Sequence, residues 1–154
     1  MPNLDRSAPA LLFRAGPQLC AIDLGQVVET MRPLHVRPVA GTPDAVSGVC
    51  VMRGVPVPVL DVGVLLSGAR ADVSRFVAVR GEQAPVALAT GPVVGIRPVT
   101  ADPTTERLRD ALGGSAAVVS GIGTDGTEPL LLLDGSAVLA VVARAVGSAA
   151  WPEP

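Results

Sequence analysis

The most constraining feature of this sequence is the stretch at residues 48–61, GVCVMRGVPVPVLD, where valine recurs at every second position through most of its length. A period of two is typical of a half-buried β-strand. Arg53 and Gly54 interrupt the apolar run at its middle, and glycine permits a bend there. The stretch therefore predicts two short strands joined by a turn, with Pro56 and Pro58 facing away from the hydrogen-bonded ladder on an edge strand.

The composition favours a single β-rich domain. The chain has 154 residues, of which 49% are hydrophobic and 17% charged, with 17 glycines and 15 prolines. Many short strands separated by turns fit this mixture better than a helical bundle does. A chain of this length buries enough surface to fold without a disulfide or a metal.

The charged and aromatic residues exclude several classes of function. All 12 basic residues are arginine, which excludes Schiff-base chemistry and a P-loop lysine. With three aromatic residues and no basic run, the sequence lacks the stacking platforms and basic patches of nucleic-acid binding. No signal peptide and no membrane-spanning segment are indicated. We therefore expect a cytoplasmic protein without direct membrane insertion, in which Cys20 and Cys50 are reduced core thiols.

The first half of the chain is predicted to contain a hairpin and a short helix before the central stretch. The hairpin strands cover residues 11–16 and 19–24. A helix over residues 24–31 is predicted because three apolar side chains fall at helical spacing, namely Val27, Val28 and Met31.

The second half of the chain is predicted to consist mostly of strands. Asp61 is expected to cap a short apolar segment, VGVLL. Helices are predicted at residues 105–113 and 136–146. Strands are predicted at residues 75–81, 84–91, 93–99, 116–123 and 128–134. About eight to ten short strands in all fit two small barrels packed together, which leave no exposed sheet edges.

No constellation of residues in the sequence indicates catalysis, a cofactor or a metal. Residues 121–126 match G-x-G-x-x-G, but Pro129 and a run of leucines follow where a dinucleotide site needs a helix, so a hairpin turn is favoured. His35 is the single histidine and no nucleophile elbow surrounds any serine. A small hydrolase that uses His35 is a remote alternative. Ordinary metal-ligand spacing is absent.

Arg53 is a full positive charge in an otherwise apolar hairpin, and the sequence leaves two roles open for it. One role is a structural cation that pairs with a nearby carboxylate such as Asp61 or Glu29. The other is an interface residue, because the planar guanidinium group is favoured at binding hot spots. The two roles are compatible, and the residues alone predict a β-rich binding module.

Two motifs in order along the chain resemble the CheW family, the bacterial chemotaxis coupling proteins. They are D-L-x-x-V-x-E at residues 23–29 and V-x-G-T-P-x-x-V-x-G-V-x-x-M-R-G-x-x-V-P-V-x-D at residues 39–61. The later strands also occur in the family's order, so the resemblance covers about residues 11–146. Some positions depart from the family pattern: Val51 stands where the family has asparagine, and the polar segment after the V-G-I strand lacks the family's aspartate.

The resemblance implies a mainly β, CheW-like fold of two five-stranded SH3-like barrels with a few short helices. It implies one domain at residues 10–147, divided into subdomains near residue 80, between tails at 1–9 and 148–154. It also implies a protein-binding site rather than catalysis. The site residues that match the family's motifs or lie beside them are Val27, Glu29, Met31, Gly48, Arg53 and Gly54.

Our hypothesis from the resemblance is a non-catalytic adaptor without cofactors. It would couple the cytoplasmic tip of a methyl-accepting chemoreceptor to the regulatory domain of a CheA-type histidine kinase, and its partners would recruit it to membrane receptor arrays. The alternative is a specialised paralogue that binds only the receptor or only the kinase.

Overall fold

Ten strands and two helices make up the computed structural model, which describes residues 8–100 and 118–148. The strands are β1 (Ala8–Ala15), β2 (Gln18–Asp23), β3 (Val27–Met31), β4 (Val46–Met52), β5 (Val55–Asp61), β6 (Arg75–Val79), β7 (Val86–Thr90), β8 (Val93–Val99), β9 (Val119–Asp125) and β10 (Glu128–Leu133). The helices are α1 (Val62–Ser67) and α2 (Gly135–Ser148).

The strands form two five-stranded sheets. The first sheet has the order β8-β1-β2-β10-β9 and the second has the order β3-β6-β7-β5-β4. Neighbouring strands are antiparallel except for β2–β10 and β5–β7. All strands of the second sheet are inserted in the chain between β2 and β8. The predicted mainly β fold with two five-stranded units and few helices is confirmed, whereas the subdomain boundary near residue 80 stays a prediction.

Each sheet buries apolar side chains on both of its faces, as a strongly curved sheet does. The shared core lies between the two sheets and α2, and includes Leu11, Phe13, Ile22, Val77, Leu88 and Val138. The second-sheet cluster lies on the other face of the second sheet, and includes Cys50, Val57, Val59, Phe76 and Ala78. The first-sheet cluster is formed by Ala10, Leu12, Leu19, Ala21 and Leu130. The two curved sheets therefore share one core and each has a smaller cluster of its own.

The hairpin predicted within residues 48–61 is present, with β4 and β5 joined at Arg53 and Gly54. β5 is not an edge strand, however, because it lies between β4 and β7. Its pairing with β7 begins only at Val59. Pro56 and Pro58 therefore lie where β5 has β4 as its single neighbour. Because β7 does not pair with β5 at these positions, the lack of proline N–H groups costs no hydrogen bond to β7. The predicted cap of α1 is present, since the N–H of Val64 donates to Asp61 Oδ1 at 3.0 Å.

The predicted helix at residues 24–31 is wrong. The chain makes one 3-10 turn at Leu24–Gln26 and then continues as strand β3. Val27, Val28 and Thr30 are β-branched and favour extended backbone, and β6 offers β3 a partner strand that the local spacing did not reveal. Asp23 still caps the turn, because Asp23 Oδ1 accepts from the N–H of Gly25 at 2.9 Å.

The G-x-G-x-x-G run at residues 121–126 is the end of β9 and its turn into β10, as the hairpin interpretation predicted. The predicted final helix is α2. The helix predicted at residues 105–113 lies outside the described residues. In the described part of the chain no helix is long and apolar enough to cross a membrane.

Candidate protein-binding face

The turn between β4 and β5 presents Arg53 to solvent. Arg53 has φ 50° and Gly54 has φ 80°, so both residues of the two-residue loop are left-handed, which is the geometry of a type I′ hairpin turn. Among the described residues Arg53 is the only one other than glycine with positive φ. A left-handed residue with a Cβ costs roughly 1–2 kcal/mol, so this arginine is held in a conformation that the turn imposes.

Arg53 and Glu29 form a two-pronged ion pair. Arg53 Nη2 donates to Glu29 Oε1 at 3.0 Å, and Nη1 donates to Oε2. The Arg53 side chain is 74% exposed and that of Glu29 is 29% exposed. The hydrogen bonds lower the pKa of the Glu29 carboxyl and raise the pKa of Arg53. The structural role that the sequence left open is therefore filled by Glu29, whereas Asp61 is buried and caps α1.

The ion pair joins opposite edges of the second sheet. Glu29 belongs to β3, which is one edge of that sheet, and Arg53 follows β4, which is the other. Arg97 and Asp125 make the corresponding contact in the first sheet, where Nη1 lies 2.9 Å from Oδ2 and the pair joins the edge strands β8 and β9. In each sheet a partly exposed arginine–carboxylate pair thus bridges the two edges.

A β-bulge decides which way the β3 side chains point. Val27 is opposite Val79, but Glu29 is opposite Ala78, so Val28 is an extra residue between the two pairs. Val27 accordingly packs against the shared core, and Met31 packs against the second-sheet cluster. Ala78 belongs to the second-sheet cluster, so the cross-strand pairing puts Glu29 on the same face as Met31. The predicted common face of Val27 and Met31 does not exist.

Gly48 lies away from the hairpin tip, in the interior. A Cβ at Gly48 would overlap the carbonyl oxygen of Arg37 and would stand 2.9 Å from the Cα of Pro38. Arg37 pairs through its main chain with Val49, with N–H to O distances of 2.8 and 2.9 Å. Gly48 therefore lets the connection after β3 lie against the edge of β4. Gly54 is exposed, and a Cβ there would have no atom within 4 Å, so this glycine serves the turn.

Two exposed valines that were not among the predicted site residues flank this turn. Val51 is 61% exposed and Val55 is 45% exposed. The alternating valines predicted burial for one face of each strand, but not which positions stay uncovered. Val55 is opposite Met52 and Val51 is opposite Pro56, so the two exposed valines lie on opposite faces of the hairpin. Their position next to Arg53 was the available signal. Apolar side chains around an arginine are typical of protein-binding surfaces.

A groove elsewhere on the surface does not include any of the predicted site residues. Its volume is about 890 Å³, and it lies between α2 and the loop from β6 to β7, with Arg80, Leu139 and Ala140 in its lining. Among the described residues no group of three or more potential metal ligands occurs. Burial raises the pKa of the Cys20 thiol to about 12, which makes it a poor nucleophile at neutral pH.

Comparison with known proteins agrees with the fold. The sequence matches the CheW-like domain over residues 9–143, which is most of the chain. The chain belongs to the CheW-like domain family. The scaffolding protein TtCheW from Thermoanaerobacter tengcongensis has a similar structure, with a TM-score of 0.69 and 18% identity over 84% of this chain and 90% of that chain. No curated protein matches the sequence.

In this CheW-like domain, the predicted site residues thus separate into two groups. Glu29, Arg53 and Gly54 come together at the surface, with Val51 and Val55 beside them. Val27, Met31 and Gly48 lie beneath or beside that surface and support the strands that form it. The name hairpin-tip face is used below for the surface around the tip, which is formed by the first group and by the two valines on opposite sides of the hairpin.

Proposed function

We propose that this CheW-like domain is a non-catalytic adaptor that couples a chemoreceptor tip to a CheA-type histidine kinase. The observation that carries the proposal is the hairpin-tip face, where an exposed ion pair, Arg53–Glu29, lies among exposed apolar side chains. The family is one of chemotaxis scaffold and adaptor domains, which supports this class of function. Its location would be cytoplasmic, with recruitment to receptor arrays through the partners.

The guanidinium group of Arg53 is suited to an interface because it is already paired. Arg53 is 74% exposed although it is paired, so a partner that covers it removes water from a charge that already has its counter-ion. A paired arginine is less costly to bury than a free one, and its flat face and stem contribute contact area. Val51 and Val55 add apolar surface around it. A few such anchors suffice for a specific interface.

A specialised paralogue that binds only one of the two partners is the second candidate. Val51, at 61% exposure, stands where the family pattern has asparagine, so an apolar side chain replaces a hydrogen-bonding one beside Arg53. Such a change alters which partner surface fits the face. Separate calorimetric titrations with a receptor tip and with a kinase regulatory domain, both from the same cell, discriminate between these two functions.

Arg53→Ala is the variant that tests the site, and Arg97→Ala is its matched control. Both substitutions remove an exposed arginine that bridges the edges of one sheet, so their effects on stability should be similar and small. We expect Arg53→Ala to weaken binding of at least one partner by about tenfold or more, as loss of a hot-spot arginine does. We expect Arg97→Ala to leave that affinity unchanged. Equal affinities for the two variants would reject the site.

A charge swap separates the binding role of Arg53 from its structural role. The double variant Arg53→Glu with Glu29→Arg keeps an ion pair between β3 and the hairpin but exchanges the positions of the charges. If the pair is only a structural bridge, the double variant should bind like the wild type. If Arg53 contacts the partner, the double variant should recover stability relative to Arg53→Glu alone and still fail to bind. The proposal requires the second result.

A further inference from the structure

The connection that leads from the first sheet into the second is one 3-10 turn. Leu24–Gln26 follows β2 of the first sheet and precedes β3 of the second. The turn therefore determines where β3 starts relative to β6, its single partner strand. The extra residue of the bulge, Val28, comes two positions after the turn.

Arg80 holds this turn from the end of β6. Its main-chain N–H donates to the carbonyl of Gln26 at 2.8 Å, and its side-chain Nε donates to the carbonyl of Gly25 at 3.1 Å. Two consecutive carbonyl groups of the turn thus accept hydrogen bonds from Arg80. The Gln26 side chain occupies the space above Gly135, where a Cβ would overlap it, so the first residue of α2 restricts the turn from another side.

The register of β3 controls the ion pair at the hairpin-tip face. With the bulge, Glu29 is opposite Ala78 and on the face of the second-sheet cluster. Without the bulge, and with Val27 still opposite Val79, Glu29 would be opposite Val77, whose side chain lies in the shared core. A shift of one residue exchanges the two faces of a strand. Glu29 then could not reach Arg53.

We propose that Arg80 is a positioning residue that fixes the bulged register of β3 and thereby places Glu29 beside Arg53. The expected effect of Arg80 on partner binding rests on the proposed adaptor function, whereas its expected effect on the Arg53–Glu29 ion pair does not. Arg80 acts through the turn, at residues 25 and 26, and takes no part in the hairpin-tip face itself.

The test is the titration of the Glu29 carboxyl by NMR in Arg80→Ala, Arg80→Lys and Arg75→Ala. Arg75 is an exposed arginine at the other end of β6 and serves as the matched control. We expect Arg80→Ala to move the pKa of Glu29 up toward its ordinary value and to speed amide hydrogen exchange in β3 by roughly two- to tenfold, the range for one net hydrogen bond. Arg80→Lys, which keeps a charged donor, should restore most of both properties. Arg75→Ala should change neither.

An unchanged Glu29 titration in Arg80→Ala, with the protein folded, would overturn the proposal. Deletion of Val28 is a second test, because it leaves Glu29 opposite Ala78 without a bulge. In that background the Glu29 titration should no longer depend on Arg80, and a persistent dependence would also overturn the proposal.

Binding measurements separate this proposal from the adaptor function. If Arg80→Ala alters the Glu29 titration while neither partner binds the wild type, the positioning role stands and the adaptor function fails. If the partners bind and Arg80→Ala lowers affinity without altering the titration, Arg80 contacts a partner directly, and the positioning role fails instead.

Discussion

The carbonyl oxygen of Arg37 occupies the space that a side chain at Gly48 would need. The contact lies where the connection between β3 and β4 returns along the edge of β4, and the main-chain pairing of Arg37 with Val49 fixes it. Gly48 also has φ 144°, a conformation that residues with a Cβ rarely adopt. A glycine that matches a family motif is thus explained by packing of the main chain.

Gly48→Ala should lower the free energy of unfolding by about 2–4 kcal/mol, because overlap with main chain adds to backbone strain. Gly54→Ala is the matched control: it has φ 80° but open space around it, so only the strain, about 1 kcal/mol, is expected. Urea unfolding monitored by circular dichroism measures both. Equal losses in the two variants would contradict the packing explanation.

The stability of the domain should fall in mild acid, partly through two glutamates. Hydrogen bonds from arginine lower the folded-state pKa of Glu29, through Arg53, and of Glu128, through Arg14. A carboxyl with a lowered pKa adds stability above its unfolded value, near 4.5, and this stability is lost as the pH falls through the folded value. We therefore expect the free energy of unfolding of Glu29→Gln and of Glu128→Gln to depend less steeply on pH than that of the wild type. Urea unfolding between about pH 6 and pH 3, a range that brackets the unfolded-state pKa, measures this dependence. Identical slopes would show that the pairs do not persist in solution.

Val51→Ser should weaken partner binding without altering stability. Val51 is 61% exposed, so its removal changes the free energy of unfolding by less than about 0.5 kcal/mol. Loss of its contact area at an interface should raise the dissociation constant by about threefold or more. Val73→Ser, at an exposed valine in the loop after α1, is the control and should bind normally. Normal binding by Val51→Ser would show that Val51 does not contact a partner.

Period-two alternation, turn residues and caps predicted most of the strands, because those signals are local. The β4–β5 hairpin, the Asp61 cap and the β9–β10 hairpin all follow from residues close in the chain. The prediction for residues 24–31 was wrong because the spacing of the apolar residues is compatible with a helix. The strand forms because β3 pairs with β6. That contact joins residues about fifty positions apart and has no local signature.

The site was predictable only in part, for a similar reason. The sequence offered Glu29 as a partner of Arg53, and the structure pairs them. It did not reveal the bulge at Val28, which sends Val27 to the shared core and Glu29 to the opposite face. Nor did it separate buried from exposed valines at the hairpin tip, because both belong to the same alternating run.

The central claim is that one CheW-like domain couples two partners, and the measurement that tests it most directly is sequential calorimetry. The domain is first saturated with the receptor tip and then titrated with the kinase regulatory domain, and the order is then reversed. The account predicts a ternary complex with one copy of each protein, whichever partner is added first, and its loss in Arg53→Ala but not in Arg97→Ala. Mutually exclusive binding, or binding of neither partner, would contradict it.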